Sequence, residues 1–434
     1  MKHQLKRMLS MVLCASLILG VAVFSTGCQN VTGKVTVELF QYKPEAVKTF
    51  ENIAQKFNAE HADIHLVVSS PNDAVTVLKT RLIKDNPPDI IGIGGDINYS
   101  NFLDAGMLLN ISDYKGLDSI KDAYKKMDKQ LELVPQKGVY AMPYAANAAG
   151  ILYNKKIFQQ HGWTIPQTWD ELIALCKKMK AAGITPFYYG MKDTWTTLAP
   201  WNAIAVDLVN PNICQQVNLG KATFKQAYSE VAEKEKELLQ YGQKDPFAYS
   251  YNDACTAFAK GQAAMFAIGN YAVPQITSVN PDIQLDSFVM PASNDASKNQ
   301  LNSGNDLQFS VLKSTRHKEA CYQVLDFLLK DETVQSYVNE QNAVPCKKGN
   351  FKMSSVLDSM QSYIQQGKMV DYQDHHYPSE MSVDALIQTF LLGQSKDVFL
   401  TKFDRNWKRY NEDTIAKLQA YEAEHKAAAS SSVS

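Results

Sequence analysis

The chain has 434 residues, of which 45% are hydrophobic and 21% are charged, with 44 Lys and Arg against 45 Asp and Glu. This is the composition of a globular protein, and it excludes a disordered chain, a collagen-like repeat and a disulfide-dense mini-protein. The near-zero charge balance gives no basic footprint for nucleic acid, and the length predicts two or three domains.

The N-terminus has the pattern of a secretory signal. Basic residues at positions 2, 6 and 7 precede an apolar run from Met11 to Phe24, which is short for a membrane-spanning helix. The small residues after it end at Cys28 and resemble a bacterial lipoprotein signal, in which that cysteine is lipidated. Ser25 stands three positions before Cys28, where leucine is usual.

We therefore expect residues 1–27 to be a signal peptide and residues 28–33 to be a tether. Two or more acyl chains on Cys28 would anchor the protein to the outside of the cell membrane, because two chains bind stably where one binds marginally. Plain secretion, with Cys28 incidental, is the alternative. Five further cysteines contain no CxxC pair and are odd in number, so they give no zinc or redox motif and cannot all pair within the chain; they are Cys176, Cys214, Cys255, Cys321 and Cys346.

From residue 34 the hydrophobic pattern changes between strand and helix periods. Strands are predicted at 35–39, 64–68 and 89–93, with helices at 45–61 and 73–84 between them. Strand, helix, strand, helix and strand in succession predict a parallel sheet with right-handed crossovers. The fold class is therefore α/β.

A second unit of the same kind begins near Tyr144. It starts with a strand at 149–153 and a helix from Thr168 to Gly183, opened by a capping box of Thr168 and Glu171. The remaining expected elements are extended segments at 184–189, 263–268 and 307–312 and helices at 199–209, 224–241, 252–260, 317–329, 331–340, 353–366, 382–392 and 395–423. Residues 424–434 are expected to be a frayed tail.

Several segments, in the same order, carry a family resemblance. The stretch from Val139 to Lys180 closely resembles the family-1 solute-binding proteins of ABC importers, a group that carries sugars and oligosaccharides. The other matching pieces are FLDAGML at 102–108 followed by ISDY at 111–114, FAKGQAAM at 258–265 followed by GNYA at 269–272, and KEA at 318–320 leading to FLL at 327–329 and AVP at 343–345. The similarity covers nearly all of residues 34–405.

The resemblance implies two α/β lobes joined by three hinge crossings, with a helical C-terminus and a ligand held between the lobes. The crossings are expected near 145–147, 290–292 and 342–346. Lobe one would comprise residues 34–145 and 292–344, and lobe two would comprise 146–291 and 345–423. No cofactor is expected.

A sugar site needs flat aromatic rings for the CH faces of the sugar and carboxylate or amide groups for its hydroxyls. In open α/β sheets, ligands lie beyond the carboxyl ends of the strands. By that rule and by the motif match, the expected ligand-binding residues are Gln41, Tyr42, Asp96, Tyr144, Asn147, Trp195, Trp201, Asn270, Tyr271, Asn305 and Asp306.

Other interpretations of these residues remain open. Trp195 and Trp201 could be core residues of the second lobe, and Asp96 could cap the next helix. The histidine pairs His61/His65 and His375/His376, the latter beside Asp371 and Asp374, are weak metal candidates because no third ligand or suitable orientation is evident. We expect no metal site.

The leading hypothesis is a monomeric binding protein without enzymatic activity. It would capture a carbohydrate outside the cell, close by hinge bending and deliver the ligand to the permease subunits of an ABC importer. The alternatives are an extracellular glycoside hydrolase, a sugar-sensing co-receptor of the same fold, and the same fold with a polyamine, peptide or metal ion as cargo.

Overall fold

The computed structural model describes residues 33–431. The predicted signal peptide, the lipidation site Cys28 and most of the tether therefore lie outside the described residues. The strands are β1 (Val35–Gln41), β2 (Ile64–Ser69), β3 (Ile90–Ile93), β4 (Met142–Ala146), β5 (Ile151–Asn154), β6 (Met265–Phe266), β7 (Leu285–Phe288), β8 (Leu301–Asn302), β9 (Asn305–Val311), β10 (Val344–Pro345) and β11 (Met369–Val370).

Helices connect these strands and form most of the C-terminal part. They are α1 (Val47–Glu60), α2 (Ala74–Ile83), α3 (Ile97–Asp104), α4 (Asp122–Gln130), α5 (Lys155–His161), α6 (Trp169–Ala181), α7 (Leu198–Leu208), α8 (Ile213–Asn218), α9 (Phe224–Ala227), α10 (Ser229–Leu239), α11 (Tyr251–Ala259), α12 (Val273–Val279), α13 (Lys318–Leu328), α14 (Asp331–Gln341), α15 (Gln361–Gln366), α16 (Val383–Leu391), α17 (Lys396–Tyr410) and α18 (Glu412–Ser431).

The first lobe is built on a six-stranded sheet with the order β10-β4-β9-β3-β1-β2. Strands β1, β2 and β3 pair in parallel, as their alternation of apolar residues predicts. Strands β9, β4 and β10 extend the sheet in antiparallel pairing, so the sheet is mixed. Because β9 starts at Asn305, Asn305 and Asp306 lie within a strand and not in the loop before it.

The second lobe is built on a three-stranded antiparallel sheet with the order β6-β5-β7. Its core is rich in aromatic rings, because Trp201, Tyr228, Phe399 and Phe403 pack edge to face between helices α7, α10 and α17. The expected strand at 263–268 shortens to β6. The extended segment near Phe187 forms only single parallel bridges, to Gly242 and Met265.

The chain passes from one core to the other after β4, after β7 and between Met369 and Tyr377. The lobe boundaries themselves stay a prediction. Leu357, Met360, Ile364 and Met369 pack in the core of the first lobe, although the expected boundary at 345 assigns them to the second. Among the described residues, no helix has the length and apolar character needed to cross a membrane.

Two expected helices are interrupted, each beside a buried polar or aromatic side chain. The expected helix 395–423 is divided at Asn411, which has φ −115° and ψ 17° and is buried. Its Nδ2 donates to the Trp407 carbonyl at 3.1 Å, a local bond that competes with helical geometry. The expected helix 224–241 is divided at the fully buried Tyr228. Helix α18 continues to Ser431, through most of the expected tail.

The N-terminus of α6 is capped as its sequence predicts, with one difference. The Thr168 hydroxyl accepts the amide hydrogen of Glu171 at 3.3 Å. The Glu171 carboxylate, however, accepts from the amide of Gln167 at 2.7 Å and not from that of Thr168. The reciprocal half of the capping box therefore lies one residue earlier than expected.

A buried acid in α10 makes the stability of the second lobe depend on pH. Glu235 is 1% exposed, and neither carboxylate oxygen has a hydrogen-bond partner within residues 33–431. Burial raises the pKa of this carboxyl well above its ordinary value. The folded state therefore keeps a proton that the unfolded chain releases above about pH 4.3, so this residue lowers stability as the pH rises through the neutral range.

We therefore expect Glu235→Gln to be more stable than the parent protein at pH 8, with the difference shrinking towards pH 4. Urea unfolding at several pH values measures this effect. Glu230→Gln, in the same helix and exposed, is the control and should follow the parent at every pH. A parent and Glu235→Gln variant with parallel pH profiles would contradict a buried, neutral Glu235.

Candidate functional site

The candidate site lies where the two lobes meet, next to the chain segments that connect them. Asn270, which is buried, bonds to the connection at Ala148 and to the first-lobe residue Asn342. Its Oδ1 accepts from the amide of Ala148 at 2.9 Å, and its Nδ2 donates to the carbonyl of Asn342. The backbone amide of Asn270 also donates to the Ala148 carbonyl at 2.9 Å. Asn270 thus ties this connection to the first lobe, and its amide atoms are used within the protein.

The second lobe presents an aromatic wall, formed by Trp195, Tyr251 and Tyr271. The ring centroid of Trp195 lies 5.0 Å from that of Tyr251 and 6.4 Å from that of Tyr271. Trp195 is 41% exposed and Tyr271 is 37% exposed. Gly269 permits this position of Tyr271, because a Cβ at residue 269 would lie 2.3 Å from the tyrosine ring. The wall offers flat apolar surfaces that the core does not cover.

The first lobe presents a polar wall, formed by Tyr42, Lys43, Asp96 and Asp306. The Lys43 ammonium contacts the Asp306 carboxylate at 2.6 Å, and the Tyr42 hydroxyl donates to the Asp306 carbonyl at 2.6 Å. Asp96 caps α3, accepting from the Asn98 amide at 2.8 Å, yet its side chain remains partly exposed. Burial raises the pKa of the Asp96 carboxyl, and the positive charge of His375 opposes this shift.

A third part of the site comes from residues 371–376, here called the floor segment. It packs closely against the backbone between β8 and β9, since a Cβ at Gly304 would lie 2.2 Å from the Asp371 carboxylate and 2.7 Å from the His375 ring. His375 Nδ1 and Asp371 Oδ1 are 2.8 Å apart. Although burial disfavours the imidazolium, Asp371 raises the pKa of His375 to about 9. The pairing with Asp371 therefore favours the charged form of His375.

The two walls and the floor segment lie close enough for their charged groups to influence one another. Burial raises the pKa of the Tyr271 hydroxyl, and the carboxylates of Asp374 and Asp306 raise it further. Likewise, burial raises the pKa of Tyr372, and Tyr271, Asp374 and Asp306 add to that effect. Asp306 belongs to the first lobe and Tyr271 to the second, so a carboxylate of one lobe contributes to the raised pKa of a tyrosine of the other.

The structure brings together five of the expected ligand-binding residues: Tyr42, Asp96, Trp195, Tyr271 and Asp306. It places four others within the protein. Trp201 is fully buried in the core of the second lobe, and Tyr144 packs on Phe309 and Tyr337. Asn305 donates to the Asp128 carboxylate, and the side chain of Gln41 bonds to Ser70 and Lys43. Asn270, as described above, ties a lobe connection to the first lobe. None of these five has the exposure that a wall residue needs.

Asn147 has an intermediate position. Its amide donates to the Gly304 carbonyl at 3.3 Å, and its carbonyl accepts from Ser303 at 2.7 Å. Its side-chain Oδ1 is buried and has no protein partner within residues 33–431. Asn147 therefore lies in the lobe connection after β4, beside the floor segment, and its side-chain Oδ1 has no partner among the described residues.

Four residues of the site were not expected from the sequence: Lys43, Tyr251, Asp374 and His375. Lys43 directly follows Tyr42 after β1, so its position beyond the end of a strand could have identified it as a site residue. Tyr251 had none, because it starts a helix. The motif of Asp374 and His375 suggested only a weak metal site, because their segment is far from β9 in sequence. In the described part of the chain, no group of three or more His, Cys, Asp or Glu side chains is arranged to hold a metal ion.

A cleft between two α/β lobes, with uncovered aromatic rings on one side and polar groups on the other, defines a two-lobed binding protein. Residues 43–335 match the model of the bacterial extracellular solute-binding proteins. The chain belongs to this family, whose members are binding proteins and not enzymes.

Similar proteins agree with this assignment. The multiple sugar-binding protein of Streptococcus mutans is 29% identical over 85% of this chain and 87% of its own. The melibiose/raffinose/stachyose-binding protein MelE of Bacillus subtilis is 21% identical over 87% of this chain and 88% of its own. The structure of apo RafE from Streptococcus pneumoniae matches with a TM-score of 0.76 and 24% identity, covering 91% of this chain and all of RafE. RafE in complex with raffinose matches with a TM-score of 0.71 and 24% identity, covering 89% of this chain and all of RafE.

Proposed function

We propose that this protein captures a neutral oligosaccharide outside the cell and delivers it to an ABC importer. The observation that carries the proposal is the aromatic wall facing a polar wall across the cleft. The rings suit the apolar CH faces of a sugar, and the carboxylates of Asp96, Asp306 and Asp374 can accept hydrogen bonds from its hydroxyls. Sugars are named as ligands of the multiple sugar-binding protein, of MelE and of the RafE complex.

The proposed mechanism is closure of the lobes around the sugar. A ligand can favour the closed form only through a higher affinity for that form, so it must contact both lobes. Trp195 and Tyr271 supply contacts from the second lobe, and Tyr42 and Asp96 supply them from the first. Lipidation of Cys28 would hold the protein beside the permease, as the N-terminal pattern indicates. We further propose that the protein acts as a monomer.

A thermal-shift panel of mono- and oligosaccharides on the protein starting at Cys28, followed by calorimetry, tests this function. A sugar present at 100 times its dissociation constant should add about 2.7 kcal/mol to the free energy of unfolding. Uptake of the same sugar by a strain that lacks the protein tests delivery. If no sugar stabilises the protein, the proposed ligand class is wrong.

Tyr271→Ala is expected to weaken binding of the captured sugar at least tenfold, or about 1.4 kcal/mol. The reason is that the ring supplies the flat surface of the aromatic wall, whereas its removal exposes little of the core because the side chain is already 37% exposed. Calorimetry measures the affinity, and thermal unfolding should change little. Tyr249→Ala, which truncates an equally exposed tyrosine at 37% outside the wall, is the control. Equal affinity of Tyr271→Ala and the parent would remove Tyr271 from the site.

A further inference from the structure

A surface groove of the first lobe, here called the lysine groove, combines cationic and apolar side chains. Lys121 and Lys352 line it together with Phe351, Met353 and Ile364. Phe351 and Met353 are half-buried against the core of the first lobe, so part of their apolar surface stays open. None of the described residues that line the groove is an Asp or a Glu. The groove therefore offers positive charge beside apolar surface, without a carboxylate in its lining.

The two lysines of the groove have no carboxylate partner in the part of the chain that the structure describes. The Nζ of half-buried Lys121 donates to the Pro345 carbonyl at 2.6 Å, and burial lowers the pKa of Lys121. Lys352 is exposed and is held through its backbone, which bonds twice to the Gln335 side chain at 2.9 Å. Because an ammonium group has three donors, both lysines can bind further anionic oxygens.

The positive surface continues beside the groove. Lys348 is exposed, and its Nζ donates to the backbone carbonyl of Asp118 at 2.8 Å. Lys125 pairs with Asp122 at 2.8 Å, and Lys125, with a smaller contribution from Lys348, lowers the pKa of Asp122. The whole chain has 44 basic and 45 acidic side chains. The four lysines named so far, against two aspartates, are therefore a local excess of positive charge.

Contacts connect the lysine groove to the end of the first lobe where β1 starts. Next to the groove, Lys347 pairs with Asp331, and the neighbouring Lys330 pairs with Glu60, the last residue of α1. Helix α1 leads to β2, which starts opposite the start of β1. The cleft lies at the other end of β1, because the polar wall begins with Tyr42 directly after this strand. The groove is thus tied to the end of the lobe that is away from the cleft.

The proposed lipid anchor would bring this same end of the lobe to the membrane. The structure describes the chain from residue 33, which is five residues after Cys28. A fully extended chain spans at most about 3.6 Å per residue, so five residues reach at most about 18 Å. A lipid on Cys28 would therefore keep the start of β1 close to the lipid headgroups.

We propose that the lysine groove docks on the anionic headgroups of the membrane in which Cys28 is anchored. This inference rests on the proposed lipid anchor. The headgroup phosphates would accept hydrogen bonds from the lysines, and the open parts of Phe351 and Met353 would contact the interfacial region. A membrane is favoured over an acidic segment of another protein, because the anchor brings the membrane within reach of this end of the lobe. The second contact would fix an orientation of the protein that the anchor alone leaves free.

Sedimentation with lipid vesicles tests the inference on protein that starts at residue 28 and carries Cys28→Ser, so that no lipid is attached. The protein should bind vesicles of equal parts phosphatidylglycerol and phosphatidylcholine and should not bind phosphatidylcholine alone. Added salt should weaken the binding, because it screens exposed charges. Lys348→Glu combined with Lys352→Glu should lower the partition coefficient at least tenfold, since each lysine near an anionic surface favours binding.

Lys177→Glu combined with Lys178→Glu is the matched control, because these exposed lysines of α6 in the second lobe give the same change of charge. This variant should bind the vesicles as the parent does, and both double variants should keep the thermal stability of the parent. The inference is overturned if the parent does not prefer anionic vesicles, or if the two double variants lose binding equally. Binding to polyglutamate without binding to vesicles would identify an acidic protein segment as the partner and would also overturn it.

The vesicle experiment is independent of the proposed function. Mass spectrometry of the N-terminal peptide from the source cells tests the lipid on Cys28, and calorimetry tests sugar binding. A missing lipid or a missing sugar would leave the vesicle result unchanged, so the failure of either can be told from a failure of the lysine groove to bind anionic headgroups.

Discussion

Trp201→Ala is expected to lower the free energy of unfolding by about 3–5 kcal/mol. Trp201 is fully buried, and its ring centroid lies 5.1 Å from that of Tyr228 and 5.8 Å from that of Phe399. Its Nε1 donates to the Tyr377 hydroxyl at 3.2 Å. Truncation would therefore leave a cavity in the aromatic core and remove a hydrogen bond from a buried hydroxyl. Urea unfolding measures the loss.

Trp195→Ala is the matched variant and should show the opposite pattern, with stability nearly unchanged and sugar affinity reduced. Trp195 is 41% exposed, so its removal should change the free energy of unfolding by less than about 1 kcal/mol, as for most surface substitutions. Its sugar affinity should fall at least tenfold. Trp201→Ala, measured well below its unfolding temperature, should keep the affinity of the parent. If Trp201→Ala lost affinity without losing stability, the separation of core and wall would be wrong.

Lys43→Met is expected to destabilise the protein by about 3 kcal/mol, the lower end of the cost of breaking a buried ion pair. The Lys43 and Asp306 side chains are 11% and 21% exposed, and their charged atoms are 2.6 Å apart. Although burial opposes the charge, Asp306 raises the pKa of Lys43 above its ordinary value. Loss of the ammonium leaves the Asp306 carboxylate without its charge partner, and thermal and urea unfolding measure the effect.

Two further variants separate the ion pair from the general effect of replacing a lysine. Lys43→Met combined with Asp306→Asn should recover most of the lost stability, because neither buried charge then remains unpaired. Lys318→Met breaks a pair with Asp113 in which the side chains are 37% and 60% exposed, so its cost should stay below about 1 kcal/mol. Equal losses for Lys43→Met and Lys318→Met would contradict the importance of the buried pair.

Much of the fold could be predicted because its signals are local. The alternation at Val35, Val37 and Leu39 gave the first strand, and the succession of strands and helices gave its parallel neighbours. The antiparallel pairing of β9 with β3 and β4 was not accessible, since it joins segments more than 150 residues apart. The break at Asn411 depends on a buried side-chain bond, which an amphipathic pattern does not report.

The site was less predictable, because a side chain can contact a ligand only if it is exposed, and packing decides its exposure. Trp195 and Trp201 are six residues apart in one aromatic segment, yet one is 41% exposed and the other is fully buried. Only the packing of α7 against α10 and α17 separates them. The sequence offers His375 as a weak metal candidate, whereas the structure pairs it with Asp371. A short run of sequence does not show which carboxylate a histidine pairs with in the folded protein.

The bonds of Asn270 restrict the ways in which the two halves can move. One side chain holds both the segment at Ala148 and the segment at Asn342, so neither can slide along the other without breaking a bond. Any movement that separates these two segments must therefore break a bond of Asn270. If the lobes close around a sugar as proposed, closure that keeps the bonds of Asn270 would leave these two segments side by side in the empty and the loaded protein.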